Sequence, residues 1–213
     1  MAPSLIPDII ACSHQSALWS GIADTPAAPT QVAPGARDAV FFCLYPPSDI
    51  AEHSRRLAAN LRERHGLSCP LTRVRCLHIS LLGFGHHKAL SLATIAALRT
   101  AAASVTMPPF RVSLNLAMSF RGNPTWPFVL TGDEGVSGIE MFRQELIRAL
   151  WKAGIKLRAK SDFVPHMTLF YSERDLGIHA VEEMDWTVHG FCLVRSLYGF
   201  SRHVPLGEWP LRG

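Results

Sequence analysis

Two tetrapeptides in the 213-residue sequence carry side chains suited to proton transfer: His78-Ile79-Ser80-Leu81 and His166-Met167-Thr168-Leu169. Both follow His-x-(Ser/Thr)-Leu, and each lies in an apolar run that reads as a strand. Side chains alternate along a strand. The spacing therefore predicts His78 and Ser80 on one face with Ile79 and Leu81 in the core, and His166 and Thr168 on one face with Met167 and Leu169 in the core. Each strand then offers an imidazole and a hydroxyl, with backbones roughly 7 Å apart. Brought side by side, the strands would line a single cavity with two of each group.

That set suits a phosphodiester. A neutral imidazole takes a proton from an attacking water, while a protonated one gives a proton to the departing oxygen on the far side of phosphorus. The two hydroxyls are placed to bind the non-bridging oxygens. Histidine fits both roles because its ordinary pKa of about 6.5 makes either form accessible near neutrality, so no metal is required to generate a nucleophile. A bell-shaped pH profile follows. A single His-x-Ser in a strand is most often a satisfied, partly buried histidine, but two copies with the same spacing and the same following leucine favour function. The other eight of the ten histidines, including His86-His87, lack this context and read as surface or loop residues. A zinc site would want a third and usually a fourth ligand at close spacing, and neither His-Glu-x-x-His nor Cys-x-x-Cys occurs. No metal or cofactor is expected.

The elements that must position these residues alternate between β and α. AVFFCLY (39–45) reads as a buried strand stopped by Pro46-Pro47. A helix follows, with Ser48 as N-cap, Asp49 and Glu52 in its first turn, and Ile50, Leu57 and Leu61 on one face to about His65-Gly66. The strand LHISLLGF (77–84) comes next, then an Ala-rich helical stretch near 88–103. FRVSLNLAMSF (110–120) and PFVLTG (127–132) read as strands. Ser137 and Glu140 form a capping box for a helix with Ile139, Phe142, Leu146, Ile147 and Leu150 on one stripe to about Ala153-Gly154. Strands are predicted at FVPHMTLF (163–170), WTVHGFCLVRSLYGF (186–200) and PLGEWPL (205–211), with a polar segment between the first two. The helix ending near 64 stands 14 residues before His78, and the one ending near 153 stands 13 before His166. Two copies of one unit is the economical reading.

Residues 1–36 have prolines at 3, 7, 26, 29 and 34 and no sustained period, so they form an extension to a domain spanning 37–213. Their composition permits disorder, while Leu5-Ile6, Ile9-Ile10 and Trp19 are apolar enough to lie along the body. An apolar share of 48% and a charged share of 18% exclude a chain disordered throughout. The net charge is 21 − 17 = +4, and 17 of the 21 cations are arginine, which favours an anionic ligand held in planar, bidentate fashion. Five cysteines, odd in number and widely spaced, read as reduced thiols in a reducing compartment; Cys43 and Cys192 sit in apolar runs as small buried hydrophobes. No apolar stretch approaches the roughly 20 residues of a membrane helix, and the first positive charge is Arg37, so neither membrane insertion nor export is expected. The expected location is cytoplasmic.

With FFCLYPP (41–47), LHISLLGFG (77–85), PHMTLFY (165–171), FCLVRSLYG (191–199) and EWPL (208–211) in this order, the sequence resembles the two-histidine (2H) phosphoesterases. Within them it is most similar to the bacterial 2′-5′ RNA ligase-like proteins, also described as RNA 2′,3′-cyclic phosphodiesterases. The resemblance covers about residues 38–212. It implies an α+β, two-lobed duplicated fold with pseudo-twofold symmetry, antiparallel sheets, helices outside and a central cleft. Carried over by motif, it makes His78 and His166 the catalytic pair and Ser80 and Thr168 the phosphate-binding hydroxyls. The implied reaction opens 2′,3′-cyclic phosphates to 2′-phosphates, and the implied partners are RNA with cyclic phosphate ends or cyclic nucleotides. The sequence leaves the oligomeric state open, with a monomer as the expectation. Relatives often carry Arg where this chain has Tyr171, and many carry Thr where it has Ser80.

Phe170, Phe42 and Phe84 are candidates for stacking on a base. Alternation favours Phe170, and core packing competes for Phe42 and Phe84. Arg62, Arg64, Arg73 and Arg75 surround the approach to the first motif, as a phosphate-gathering cluster or as solvated charges. Three alternatives stay open: 2′-5′ joining by the same chemistry reversed, a cyclic phosphodiesterase for a small nucleotide metabolite, and a non-catalytic RNA-binding protein on the same fold. No GxxxxGK[ST] loop occurs to support ATP-driven ligation.

Overall fold

The computed structural model describes residues 38–84, 90–122, 124–157, 163–197, 200 and 202–213. The predicted extension 1–36 and the His86-His87 pair lie outside them. The chain runs β1 (Ala39–Leu44), α1 (Ser48–Arg64), a 3₁₀ turn (Val74–Cys76), β2 (Ile79–Gly83), α2 (Leu92–Ala103), β3 (Phe110–Ser119), β4 (Trp126–Thr131), α3 (Ser137–Lys152), β5 (His166–Ser172), β6 (Ile178–Val188), β7 (Gly190–Leu197) and β8 (Arg202–Pro210). The fold is α+β. Its strands form one sheet in the order β6-β3-β4-β5-β2-β1-β7-β8, antiparallel at each recorded pairing.

Read from its two ends, that order matches β6 with β8, β3 with β7, β4 with β1 and β5 with β2, which is the expected pseudo-twofold arrangement. The units β1-α1-β2 and β4-α3-β5 occupy equivalent places. The sheets of the two halves are continuous, joined in the middle where β2 and β5 pair through Ile79 and Met167. Helix α1 leaves the first half to pack on β5 and β6 of the second. Helix α3 crosses the other way: Phe142 meets Phe191 of β7 edge-on at 4.8 Å. The core lies between these helices and one face of the sheet, filled by Phe42, Phe128, Phe142, Phe170 and Phe191 at 0–1% exposure. Burying one such side chain contributes about 1.5–3 kcal/mol.

Several local expectations are corrected. Ser48 and Ser137 are the first helical residues rather than caps; Pro47 and Val136 precede the helices, and neither end has a side-chain cap. The side-chain cap falls on α2, where the Ser91 hydroxyl accepts from the Thr94 N–H at 3.0 Å. The strand predicted over 186–200 is two strands turning at His189-Gly190, and the preceding polar segment contains most of β6. Strand β6 is a sheet edge whose outward residues are exposed, Glu182, Glu183 and Asp185 among them, so its composition hides its conformation.

Candidate active site

Both histidine strands contain the same irregularity. Along β1 the partners run Phe42↔Leu82 and then Cys43↔Ser80, passing over Leu81; along β4 they run Phe128↔Phe170 and then Val129↔Thr168, passing over Leu169. The leucine ending each motif is thus the extra residue of a β-bulge, which bends its strand and reverses the alternation beyond it. The reversal corrects the placement of Phe170. That ring is fully buried and stacks on Phe128 at 4.9 Å, and the half-buried Tyr171 takes the face of His166 and Thr168. Phe42 is also fully buried, and Phe84 packs against it at 5.7 Å, so none of the three candidate stacking residues lines the site.

Before the bulges, alternation holds. Ile79, Leu81, Met167 and Leu169 are buried, while Ser80 is exposed and His78, His166 and Thr168 are half-buried. Continuing the Ile79↔Met167 register by one residue in each direction sets His78 beside Thr168 and Ser80 beside His166. The structure therefore brings all four to one face of the sheet, away from the helices.

Each imidazole is oriented by the same device. Nδ1 of His78 lies 2.6 Å from the Cys76 carbonyl, and Nδ1 of His166 lies 2.7 Å from the Val164 carbonyl, two residues upstream in both cases. A carbonyl only accepts, so Nδ1 carries the proton and Nε2 is the unprotonated nitrogen of the neutral ring. Nε2 of His78 stands 2.9 Å from Oγ of Ser80, which donates to it. Burial, helped by the charge of His166 and opposed by the Cys76 carbonyl, brings the His78 pKa down to about 4. His166 is also lowered by burial, partly offset by the Val164 carbonyl.

Residues not anticipated from sequence complete the surroundings. Phe41 stacks on His78 at 5.0 Å, and His203 of β8 presents edge-on at 5.3 Å. His203 is 3% exposed, and its Nδ1 is 2.6 Å from the hydroxyl of Tyr45, which also borders His78. His166 has Phe120 edge-on at 4.7 Å. The signal for Phe41 and Tyr45 was their odd position in 39–45, which shares a face with Ser80 through Cys43. His203 had no such signal, because only the Ser196↔His203 pairing brings it near.

Of the arginines before the first motif, Arg73 and Arg75 are exposed, and Arg62 donates to the Cys69 carbonyl at 3.2 Å. Cys43 and Cys76 are buried and Cys69 and Cys192 half-buried, all without disulfides; burial pushes the Cys192 thiol up to about 12, with Glu208 adding to the rise. Among the described residues no three His, Cys, Asp or Glu side chains gather as metal ligands, and no helix is long and apolar enough to cross a membrane.

This duplicated sheet with paired histidine strands has clear counterparts among known proteins. The 2′-5′ RNA ligase superfamily matches residues 46–199, and the chain belongs to that family. Membership supports a phosphoesterase-type activity. Escherichia coli LigT in its apo form is similar over 84% of this chain and 100% of its own, at 20% identity and a TM-score of 0.66. A structure described as a phosphoesterase aligns over 83% and 99% at 20% identity and a TM-score of 0.67, and the Thermus thermophilus protein TT0787 over 82% and 98% at 21% and 0.59. LigT has also been crystallised with ATP, 3′-AMP, NADP+ and phosphate. No curated protein sequence matches the chain.

Proposed function

We propose that this protein hydrolyses 2′,3′-cyclic phosphates, at RNA ends or in nucleotides, to 2′-phosphates. The observation that carries this reading is the matched pair of imidazoles beside two hydroxyls on one sheet face, each ring locked by a carbonyl at Nδ1 so that Nε2 is the reacting nitrogen. Water attacks phosphorus; its oxygen forms the new P–O bond as its proton passes to one Nε2. The bond from phosphorus to the 3′ oxygen breaks, and the second ring, entering as imidazolium, protonates that oxygen. The rings end with their protonation exchanged. Ser80 and Thr168 hold the non-bridging oxygens.

The nucleotides and phosphate bound by the similarly folded LigT support a ligand of this class. The family's description supports a second reading, formation of a 2′-5′ bond by the reverse reaction with an RNA 5′-hydroxyl in place of water. Tyr171, on the site face where relatives often carry Arg, distinguishes how this chain meets its substrate. The test is incubation with 2′,3′-cyclic mononucleotides and a cyclic-ended oligoribonucleotide, with a chelator present, followed by assignment of 2′- or 3′-phosphate products. A 2′-phosphate product that depends on both histidines is expected. No product, or unchanged turnover in both the His78→Ala and His166→Ala variants, rejects the reading, and salt-sensitive RNA binding without turnover identifies a non-catalytic RNA-binding protein.

A further inference from the structure

The two bulges are held from opposite halves. The Leu169 carbonyl accepts from the Thr72 N–H at 2.7 Å, and Leu71 bridges Phe170, so the chain leading into the first motif grips the second. The Leu81 carbonyl accepts from Nε of Arg143 at 3.0 Å, so the helix before the second motif grips the first. One grip is backbone and the other is a side chain. Arg143 is 6% exposed within α3, and its guanidinium lies over the Phe163 ring at 4.2 Å. Phe163 immediately precedes Val164, whose carbonyl orients His166.

We propose that Arg143 is a positioning residue for both histidine strands, fixing the Leu81 bulge that aims Ser80 and His78 and tying that bulge through Phe163 to the segment that orients His166. The bulge residue stands outside the β1 ladder, so its buried carbonyl requires a donor from elsewhere. Burying a cation carries a desolvation cost, and here the cation joins the two parts of the site whose spacing the reaction depends on. Arginine suits the place because one planar group donates along its edge while its face rests on an aromatic ring; lysine has no such plane.

This inference rests on the reading of His78 and His166 as the reacting groups, and its test keeps the two apart. The imidazole resonances of His78 and His166 are titrated by NMR in the parent and in Arg143→Lys, Arg143→Met and Phe163→Leu, beside turnover of a 2′,3′-cyclic mononucleotide. Arg143→Lys is the decisive variant. It keeps the positive charge, so a shift reports geometry rather than a lost Coulomb contribution. Among the described residues, the titratable groups around these sites include Glu140 on α3, His203, Tyr45 and His166 facing His78, and Tyr171 on the face of His166. In Arg143→Lys, His78 is expected to rise by about one unit or more toward its ordinary value as water enters the loosened motif. kcat should fall between about tenfold and 10²-fold with KM nearly constant. Folded Lys and Met variants that titrate and turn over like the parent overturn the proposal, as does a lowered melting temperature with unmoved His78 titration. A His78 shift in a protein whose parent form turns over no cyclic phosphate supports the positioning role and rejects the proposed reaction.

Discussion

The two halves share a backbone plan and differ in what surrounds their histidines. In the first half the site face is apolar and aromatic, with Phe41, Cys43 and Val194 forming a small cluster beside Tyr45 and Cys192, and with His203 closing on His78. In the second half, Phe120 is the ring against His166, and the exposed face of β3 and β6 is polar: Ser113 bonds to Glu183, Arg111 pairs with Asp185, and Asn115 donates to Asp133 at 3.1 Å. The carbonyl lock at Nδ1 and the leucine bulge are common to both. The duplicated parts are those that fix direction, and the divergent parts set polarity and access. Burial lowers the proton affinity of both rings, and at His78 it brings the pKa to about 4.

The largest effect that tests this equivalence is loss of either ring. His78→Ala and His166→Ala should each reduce kcat/KM by about 10²–10⁴, and the double variant should cost little more than the worse single one, since the rings act as a unit. Additive losses would show that the halves act separately. Next come the hydroxyls: Thr168→Ala and Ser80→Ala should each cost about 10-fold to 10²-fold, the smaller end of what a lost donor to a charged oxygen produces. Tyr45→Phe should leave turnover within severalfold while lowering stability by about 1–3 kcal/mol, because the buried His203 loses this hydrogen bond. Urea denaturation measures that cost. The counterpart ring contact predicts no such loss for Phe120→Leu.

The pH dependence sharpens the comparison further. Both histidines have folded-state pKa values below their unfolded values, so the unfolded chain binds more protons between the two, and stability falls as pH drops from about 6.5 toward about 4. His78→Gln should flatten that decline, measured against the parent. For activity, the acid limb of kcat/KM should lie near 4 and the upper limb below about 6.5, while bound phosphate, by stabilising imidazolium, should move the kcat profile upward.

The placement of the four motif residues was legible because alternation and doubling survive in the sequence: matched spacing identified two strands and a shared face. What lay beyond Leu81 and Leu169 was not legible. A bulge leaves no residue-type signature when its extra residue is an ordinary core leucine, so alternation carried past it assigned Phe170 to the site and left Tyr171 without a placement. The edge strand β6 was obscured for the opposite reason: its exposed carboxylates look like loop composition when no partner strand is in view. His203 and Arg143 act across the fold, on neighbours far away in sequence, and periodicity contains no record of such pairings.

Backbone pairing recorded between the halves runs through the Ile79–Met167 bridge, with the motif histidines and hydroxyls immediately to either side of it, and through the Leu71–Phe170 bridge. The carbonyl contact of each ring lies within its own half, so a change in the spacing of the two halves would alter the gap between the imidazoles and leave both contacts intact.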